Sequence, residues 1–315
     1  MLSLLLKRIG LGFLTLLAVS LIIFLGIEAL PGDAAESLLG QEADPESLAE
    51  LRDAMGLNQP LVVRYFNWLT GFLTGDLGTS LTTGAPIFDT IAPRLSNSLF
   101  LASVTAMVAV PMALVLGILS ALYRDSIFDR LVSVSSLAMI STPEFFLGYL
   151  LILILAVNVG LFPSMASFSS DASFFELLYA IALPCMTLTL VVMAQMMRMT
   201  RAAIIGIIHS PFIEMAHLKG LTNRRIILYH ALPNAMSPII NVVALNLAYL
   251  VVGVVVVEVV FVYPGLGQLL VDSVGSRDIP VVQASCLVFS GTYVALNILA
   301  DVLAIMANPR LRHPN

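Results

Sequence analysis

Glu144 stands inside a long apolar run, thirteen residues after Leu131 and directly after Pro143. An ionisable group at that depth is costly unless it is paired or wet, so it marks a bundle interior or a route for polar solutes. A proton relay needs several such groups in series. The other acids of the apolar runs, Glu28, Glu258 and Asp301, fall at run ends, where they are expected to reach headgroups or water. The remaining reactive residues point away from catalysis. A phosphate-cradling Gly-Lys pair is missing, because the two lysines, Lys7 and Lys219, do not follow glycines. The four histidines, His209, His217, His230 and His313, lie outside the apolar runs, and none opens an H-E-x-x-H helix. Cys185 and Cys286 sit within runs, which argues against a disulfide framework. No catalytic residue and no metal site is expected, and ordinary solvated histidines and inert cysteines account for these side chains.

A second group of residues has the form of a docking element. In Arg198 to Ala235, Ser210-Pro211 is placed to start a helix, Glu214 falls in its first turn, and Ala216 and Leu218 continue it. Gly220 then breaks it, and Asn223 to Tyr229 leads toward Leu232-Pro233 as a second short helix. Small residues at the turn let another backbone approach closely. The shape suits a knob in a partner's groove, with a plain connecting loop as the alternative.

These groups need long helices to hold them. Apolar residues make up 59% of the 315 and charged residues only 11%, less than half the usual share in soluble domains. Six stretches reach the roughly 20 residues that cross a bilayer: Ile9 to Leu30, Leu95 to Tyr123, Leu131 to Leu161, Leu177 to Met197, Met236 to Val257, and Val281 to Ala300. The first reads as an uncleaved anchor, because it is about twice the length of a secretory h-region. If the N-terminus is inside, eleven of the fifteen Lys and Arg residues fall on inner segments and four on outer ones, which places both termini in the cytoplasm. Acid concentrates between the first two spans, at Asp33, Glu36, Glu42, Asp44, Glu46, Glu50, Asp53, Asp76 and Asp89. The net charge of -5 describes that outer face and argues against nucleic acid.

That acidic segment, 31–96, is too long for a turn. Asp44-Pro45 reads as an N-cap with proline at the first helical position, Leu48, Leu51 and Met55 follow at helical spacing, and Gly56 stops the pattern. A second amphipathic stretch, Pro60 to Thr74, sets Leu61, Tyr65, Trp68, Leu69 and Phe72 on one face, and Gly75 closes it. A small helical cap is expected, with interfacial helices lying on lipid as the alternative.

At this point the sequence resembles a known family. Glu214-Met215-Ala216, Gly220 and Leu232-Pro233 keep the spacing of the cytoplasmic coupling motif of ABC importer permeases, with Met215 and His230 in place of the usual alanine and isoleucine. Further matches narrow the resemblance to the dipeptide/oligopeptide/nickel permeases. They are PGD at Pro31, GLNQPL at Gly56, GDLGTS at Gly75, KGL at Lys219, HALPNA at His230, VEVVFVYPGLGQLL at Val257, RDIPVVQA at Arg277 and NPRLR at Asn308. His217 replaces an arginine common in the family, and the LFPSMAS loop lacks the usual glycine.

The resemblance implies an all-α membrane protein of a bacterial inner membrane. It divides into an N-terminal helix (1–30), an extracytoplasmic cap (31–96), a five-helix core (97–307) containing the coupling segment 198–235, and a cytoplasmic tail (308–315). It also implies a second, homologous permease, two ATPase subunits that bind ATP and Mg, and an extracytoplasmic solute-binding protein. Glu214, Met215, Ala216, Lys219, Gly220, Leu221, Leu232 and Pro233 are the expected ATPase contacts, and Glu144 and Glu258 are the expected lining of the path. Peptides are the expected cargo, with nickel, glutathione or opine-like compounds as alternatives. A secondary transporter is the competing class, and paired buried charges would favour it.

Overall fold

The computed structural model describes residues 2–30, 32–39, 44–169 and 171–307. Pro31, Glu42 and the tail 308–315, with Arg310, Arg312 and His313, lie outside the described residues. Hydrocarbon offers no partner for a peptide N–H or C=O, so a chain this apolar must satisfy its backbone within helices or a closed barrel. The described residues are helical and contain no extended strand, only an isolated bridge between Thr79 and Pro86.

Fourteen α-helices occur among the described residues: α1 Leu2–Glu28, α2 Ala34–Leu39, α3 Pro45–Ala54, α4 Leu61–Thr74, α5 Ile87–Leu122, α6 Ile127–Ser141, α7 Glu144–Leu151, α8 Phe174–Ala180, α9 Ala182–Ile208, α10 Pro211–Leu218, α11 Asn223–Ile226, α12 Leu232–Phe261, α13 Leu266–Gly275 and α14 Ile279–Ala307. Two π-helical segments, Ile152–Asn158 and Ile227–Ala231, follow α7 and α11. Five runs are long and apolar enough to cross a membrane: α1, α5, α9, the continuous run Asn223–Phe261, and α14.

The expected third span, Leu131 to Leu161, is not one helix. α6 and the run Glu144–Asn158 meet at a bend of 106°, and they give a sixth span only if the bent pair is counted as one. Thr142-Pro143 causes the break. Proline has no N–H to donate, and its ring pushes the preceding residue out of the α region. Thr142 is accordingly extended, at φ −99° and ψ 129°. The other boundaries move less. α5 begins at Ile87, so residue 96 lies inside it, and α8 is separated from α9 by a break at Ile181. The second helix expected in the segment 198–235 is not a separate piece, because it runs through a π-helical turn into α12.

The described chain packs as two units, one of Leu2–Ser98 with Pro264–Ala295, the other of Leu99–Tyr263 with the chain from Leu296. In the first unit the aromatic face of α4 meets α1: Phe24 stacks edge-on to Tyr65 at 5.5 Å and lies 6.1 Å from Trp68. Ser20 and Tyr65 hydroxyls share a 2.8 Å hydrogen bond, and Arg64 pairs with Glu28 at 2.8 Å. The cap signals hold locally. Asp44 caps α3 with Pro45 at its first position, and Gly75 ends α4 in the left-handed region. Arg52 of α3 reaches back to Asp33 and Glu36, both at 2.6 Å.

In the second unit α9 packs along α12 and against α6 and α7. Small residues let helices close in on one another. A Cβ on Gly117 of α5 would lie 2.8 Å from the Met197 carbonyl of α9, so no larger residue fits there. Around this contact Leu101, Leu183, Leu188, Met196, Val254 and Phe261 form the main core. A smaller core of Ile204, Ile213, Ala216, Ile226, Ala231 and Ile239 lies beneath α10.

One ion pair joins these layers. Arg201 of α9 donates twice to Asp129 of α6, through Nε and Nη2 at 2.7 Å each, and Asp129 also accepts from the Ser120 hydroxyl and from the Asp125 backbone at 3.0 Å. The Asp129 side chain is 5% exposed and that of Arg201 28%. Removing one partner leaves the other charge uncompensated in a site with little water. Asp129→Asn or Arg201→Gln is expected to cost about 3 kcal/mol. The Asp129→Leu/Arg201→Met double variant should recover most of the loss. Thermal unfolding of the detergent-solubilised chain, read by size exclusion after heating, checks both expectations.

Candidate functional site

The segment 198–235 contains the helix start that Ser210-Pro211 suggests, and its two faces are distinct. Ser210 precedes α10, Pro211 takes the first helical position, and Glu214 is in the first turn. The helix stops where Gly220 adopts φ +75°, which lets its N–H reach His217 O at 2.8 Å and the Leu221 N–H reach Ala216 O at 3.3 Å. That left-handed closure is what requires glycine, since only glycine takes it without strain.

The small side chain at Ala216 suggests a place for a partner to approach. The residue is instead 7% exposed and packs with Ile213 onto the chain's own small core. Helical spacing makes the reason plain: residues 213 and 216 share the inward face, leaving 212, 215 and 218 on the other. Phe212, Met215 and Leu218 are exposed at 47%, 57% and 77%, a stripe of large apolar side chains turned away from the core. Glu214, His217, Lys219 and Gly220 are exposed beside it, Leu221 and Leu232 are half-buried, and Pro233 is exposed at the start of α12. The helical period of 210–218 carries enough information to separate the two faces. The family pattern emphasises the small residues instead.

Glu144 also sits differently. It is the first residue of α7, immediately after the break, rather than a position deep in a continuous helix. Its carboxylate is half-buried and accepts a 3.3 Å hydrogen bond from the Tyr249 hydroxyl of α12. A Cβ on Gly253 would come within 3.3 Å of it, so the glycine makes room for the acid. Thr142, Gln195 and Tyr249 line the same cleft, of about 380 Å³. The electropositive start of α7 offsets part of the cost of this charge, which at the centre of a span is roughly 3 kcal/mol on insertion scales.

Glu258, expected near headgroups or water, is fully buried in α12, about one turn before the buried Tyr263. The two acids expected to line a path therefore occupy different settings, one on an open cleft and one inside the core.

A carboxylate that carries no signal in the sequence completes the picture. Asp278, 2% exposed, precedes α14. It accepts hydrogen bonds from the Ser80 hydroxyl at 2.5 Å, the Leu81 N–H at 3.1 Å and the Thr82 hydroxyl at 2.8 Å. Two motifs far apart in the chain, GDLGTS and RDIPVVQA, thus meet in one clasp. A buried acid needs donors, and the turn that ends the first motif supplies them. Among the described residues no group of three or more His, Cys, Asp or Glu side chains could hold a metal ion, and both cysteines are free thiols.

Residues 113–313 match the family described as binding-protein-dependent transport system inner membrane component, and residues 1–102 match the N-terminal component of the same systems. The chain is 38% identical over 314 residues to the glutathione transport system permease protein GsiC of Salmonella typhimurium, covering 99% of this chain and 100% of that one. Identity to the protein of the same name in Escherichia coli K12 is 38% over 315 residues, with the same coverage.

The Asp278 clasp carries a pH dependence. Burial alone would raise its carboxyl, but the donors from Ser80, Leu81 and Thr82 outweigh burial and hold it below the ordinary carboxylate range. A depressed folded-state value contributes stability above the unfolded value of about 3.9, and that contribution is lost as pH falls through the folded value. Asp278→Asn is expected to lower thermal stability at pH 7 by about 1–3 kcal/mol, the range for hydrogen bonds to a charged group. The gap to the unsubstituted chain should narrow once the pH drops below about 4. Unfolding temperatures of the two proteins across that range provide the check.

Proposed function

The chain belongs to the family of binding-protein-dependent transport system inner membrane components and is a permease of an ABC importer of the peptide and nickel class; from that premise we propose that α10 docks it to an ATPase subunit and that its cargo is a small peptide-like solute. The carrying observation is the stripe of Phe212, Met215 and Leu218, three large apolar side chains on a short helix whose other face is already packed. Such a stripe needs a groove to fill, and burying each side chain in one contributes about 1.5–3 kcal/mol. Met215, Leu218 and the flanking Glu214, Lys219, Gly220 and Leu221 supply the contact, while Ala216 acts from behind by seating the helix on its core. Leu232 and Pro233 sit where the docking segment enters α12 and pass its displacement to the span.

The positive-inside charge split supports a topology with α10 and both termini in the cytoplasm and the segment from α2 to α4 outside. In this reading the acidic helices α2, α3 and α4 form a cap that receives a solute-binding protein. A second, homologous permease completes the pathway, and two ATPase subunits bind ATP and Mg. Glu144 lines the route in the state described, and Glu258 is uncovered only when the helices shift. Because two relatives are named as glutathione transport permeases, glutathione is the first solute to try.

Three measurements test this reading. Leu218→Asp places a charge in the proposed groove and is expected to reduce copurification of the ATPase at least about tenfold while membrane insertion is unchanged. Ala216→Leu should instead destabilise the permease itself by about 1–3 kcal/mol, through overpacking. Undiminished ATPase copurification with Leu218→Asp would remove α10 as the docking site. For topology, Asn67→Cys should react with an impermeant maleimide from outside intact cells and His217→Cys should not. The reverse pattern overturns the orientation.

A further inference from the structure

Two cavities lie side by side in the unit 99–263, and their charges are opposite. The first is the cleft at Glu144, where the acid meets Tyr249, Thr142 and Gln195 and has no ion-pair partner among the described residues. The second, of about 220 Å³, is lined by Ser133 and Ser136 of α6 and by Arg198 and Arg201 of α9. Arg201 is neutralised by Asp129, whereas Arg198 is exposed and makes no hydrogen bond or ion pair among the described residues. The net charge of the second cavity is therefore that of Arg198.

Both cavities are lined in part by α9. Gln195 lines the first and Arg198 the second, and residues three apart lie on the same side of a helix, separated by about 4.5 Å along its axis. A half-buried carboxylate among apolar helices does not face lipid without large cost, and the guanidinium of Arg198 is exposed where α9 passes the expected end of its span at Met197. Water or a polar solute must meet them. An extended peptide advances about 3.5 Å per residue, so a solute of two or three residues is longer than the axial step between Gln195 and Arg198.

We infer that the Glu144 and Arg198 cavities together form a charge-sorted wall for zwitterionic, peptide-like solutes. Glu144 receives a primary ammonium group, and Arg198, with the Ser133 hydroxyl beside it, receives a carboxylate. Tyr249 holds the Glu144 carboxylate in place by its hydrogen bond, and Gly253 keeps that position open. The inference deepens the permease reading and rests on it, naming what the pathway selects. A neutral sugar would use neither charge, and a bare cation would use only the first.

The test needs no knowledge of the natural cargo. In the assembled complex, with Cys185 and Cys286 replaced by alanine, Gln195→Cys and Ser133→Cys are introduced one at a time. Each variant is reacted with a methanethiosulfonate carrying a trimethylammonium group and with one carrying a sulfonate, both nucleotide-free and vanadate-trapped. The Gln195→Cys variant is expected to react about tenfold faster with the ammonium reagent, and adding Glu144→Gln should abolish that preference. The Ser133→Cys variant should prefer the sulfonate by a similar factor, and adding Arg198→Gln should abolish that one. Two results overturn the inference: thiols that stay unreactive in both nucleotide states, or preferences that ignore the two added substitutions. If the unsubstituted chain fails to copurify with an ATPase, the permease reading itself fails. Charge-blind labelling in a complex that does assemble removes only the zwitterion wall.

Discussion

Hydrocarbon accepts no hydrogen bonds, and that single constraint governs every other choice this chain makes. It forces the backbone into helices and leaves little tolerance for a break. Where the regular α-helical pattern changes, at Thr142-Pro143 and at the two π-helical segments, a polar residue stands at each. Glu144 follows the first break, Asn158 ends one π segment, and His230 lies in the other. π-Helical turns inside α-helices frequently mark functional positions. Here one lies beyond the acidic cleft and the other at the foot of the longest helical run.

The same constraint explains how charge is handled. Asp129 and Asp278 are both buried, and each is fully served by donors: the first by a guanidinium, a hydroxyl and a backbone N–H, the second by a turn of hydroxyls and N–H groups. Neither is left to find a partner, so both act as fasteners. Glu144 differs, because one tyrosine hydroxyl is its sole hydrogen-bond donor among the described residues. Under-served groups at the edge of a cleft are the ones left to interact with something that arrives.

Much of this was legible in the residues. Five of the six apolar runs correspond to single long helical spans, and the Asp44-Pro45, Gly75 and Gly220 signals located helix ends, because capping and backbone chirality act within a few residues. The break after Thr142 has a local cause as well, but a proline can either kink a span or end it, and the residues around Pro143 do not say which. The Asp278 clasp was out of reach for a different reason. Its donors are nearly two hundred residues away, and no local pattern ties a TSLT turn to an RDIP loop. Ala216 is the opposite case: it looks like a contact in a family pattern, yet the helical period already puts it on the inward face with Ile213, where Ile226 packs against them.

The run Asn223–Phe261 has a mechanical consequence. Its 39 residues reach about 58 Å at helical rise, nearly twice the hydrocarbon thickness of a bilayer. Such a rod works as a lever: a tilt of about five degrees about one end carries the other through about 5 Å, comparable to one helical turn. Its compliance is concentrated near the foot, where the π-helical turn, Pro233 and Pro238 each interrupt the regular bonding, while the length beyond them is uninterrupted by proline. A pivot at the base and a stiff arm above it would turn a small push into a large displacement, with no need for the helix to unwind along the way.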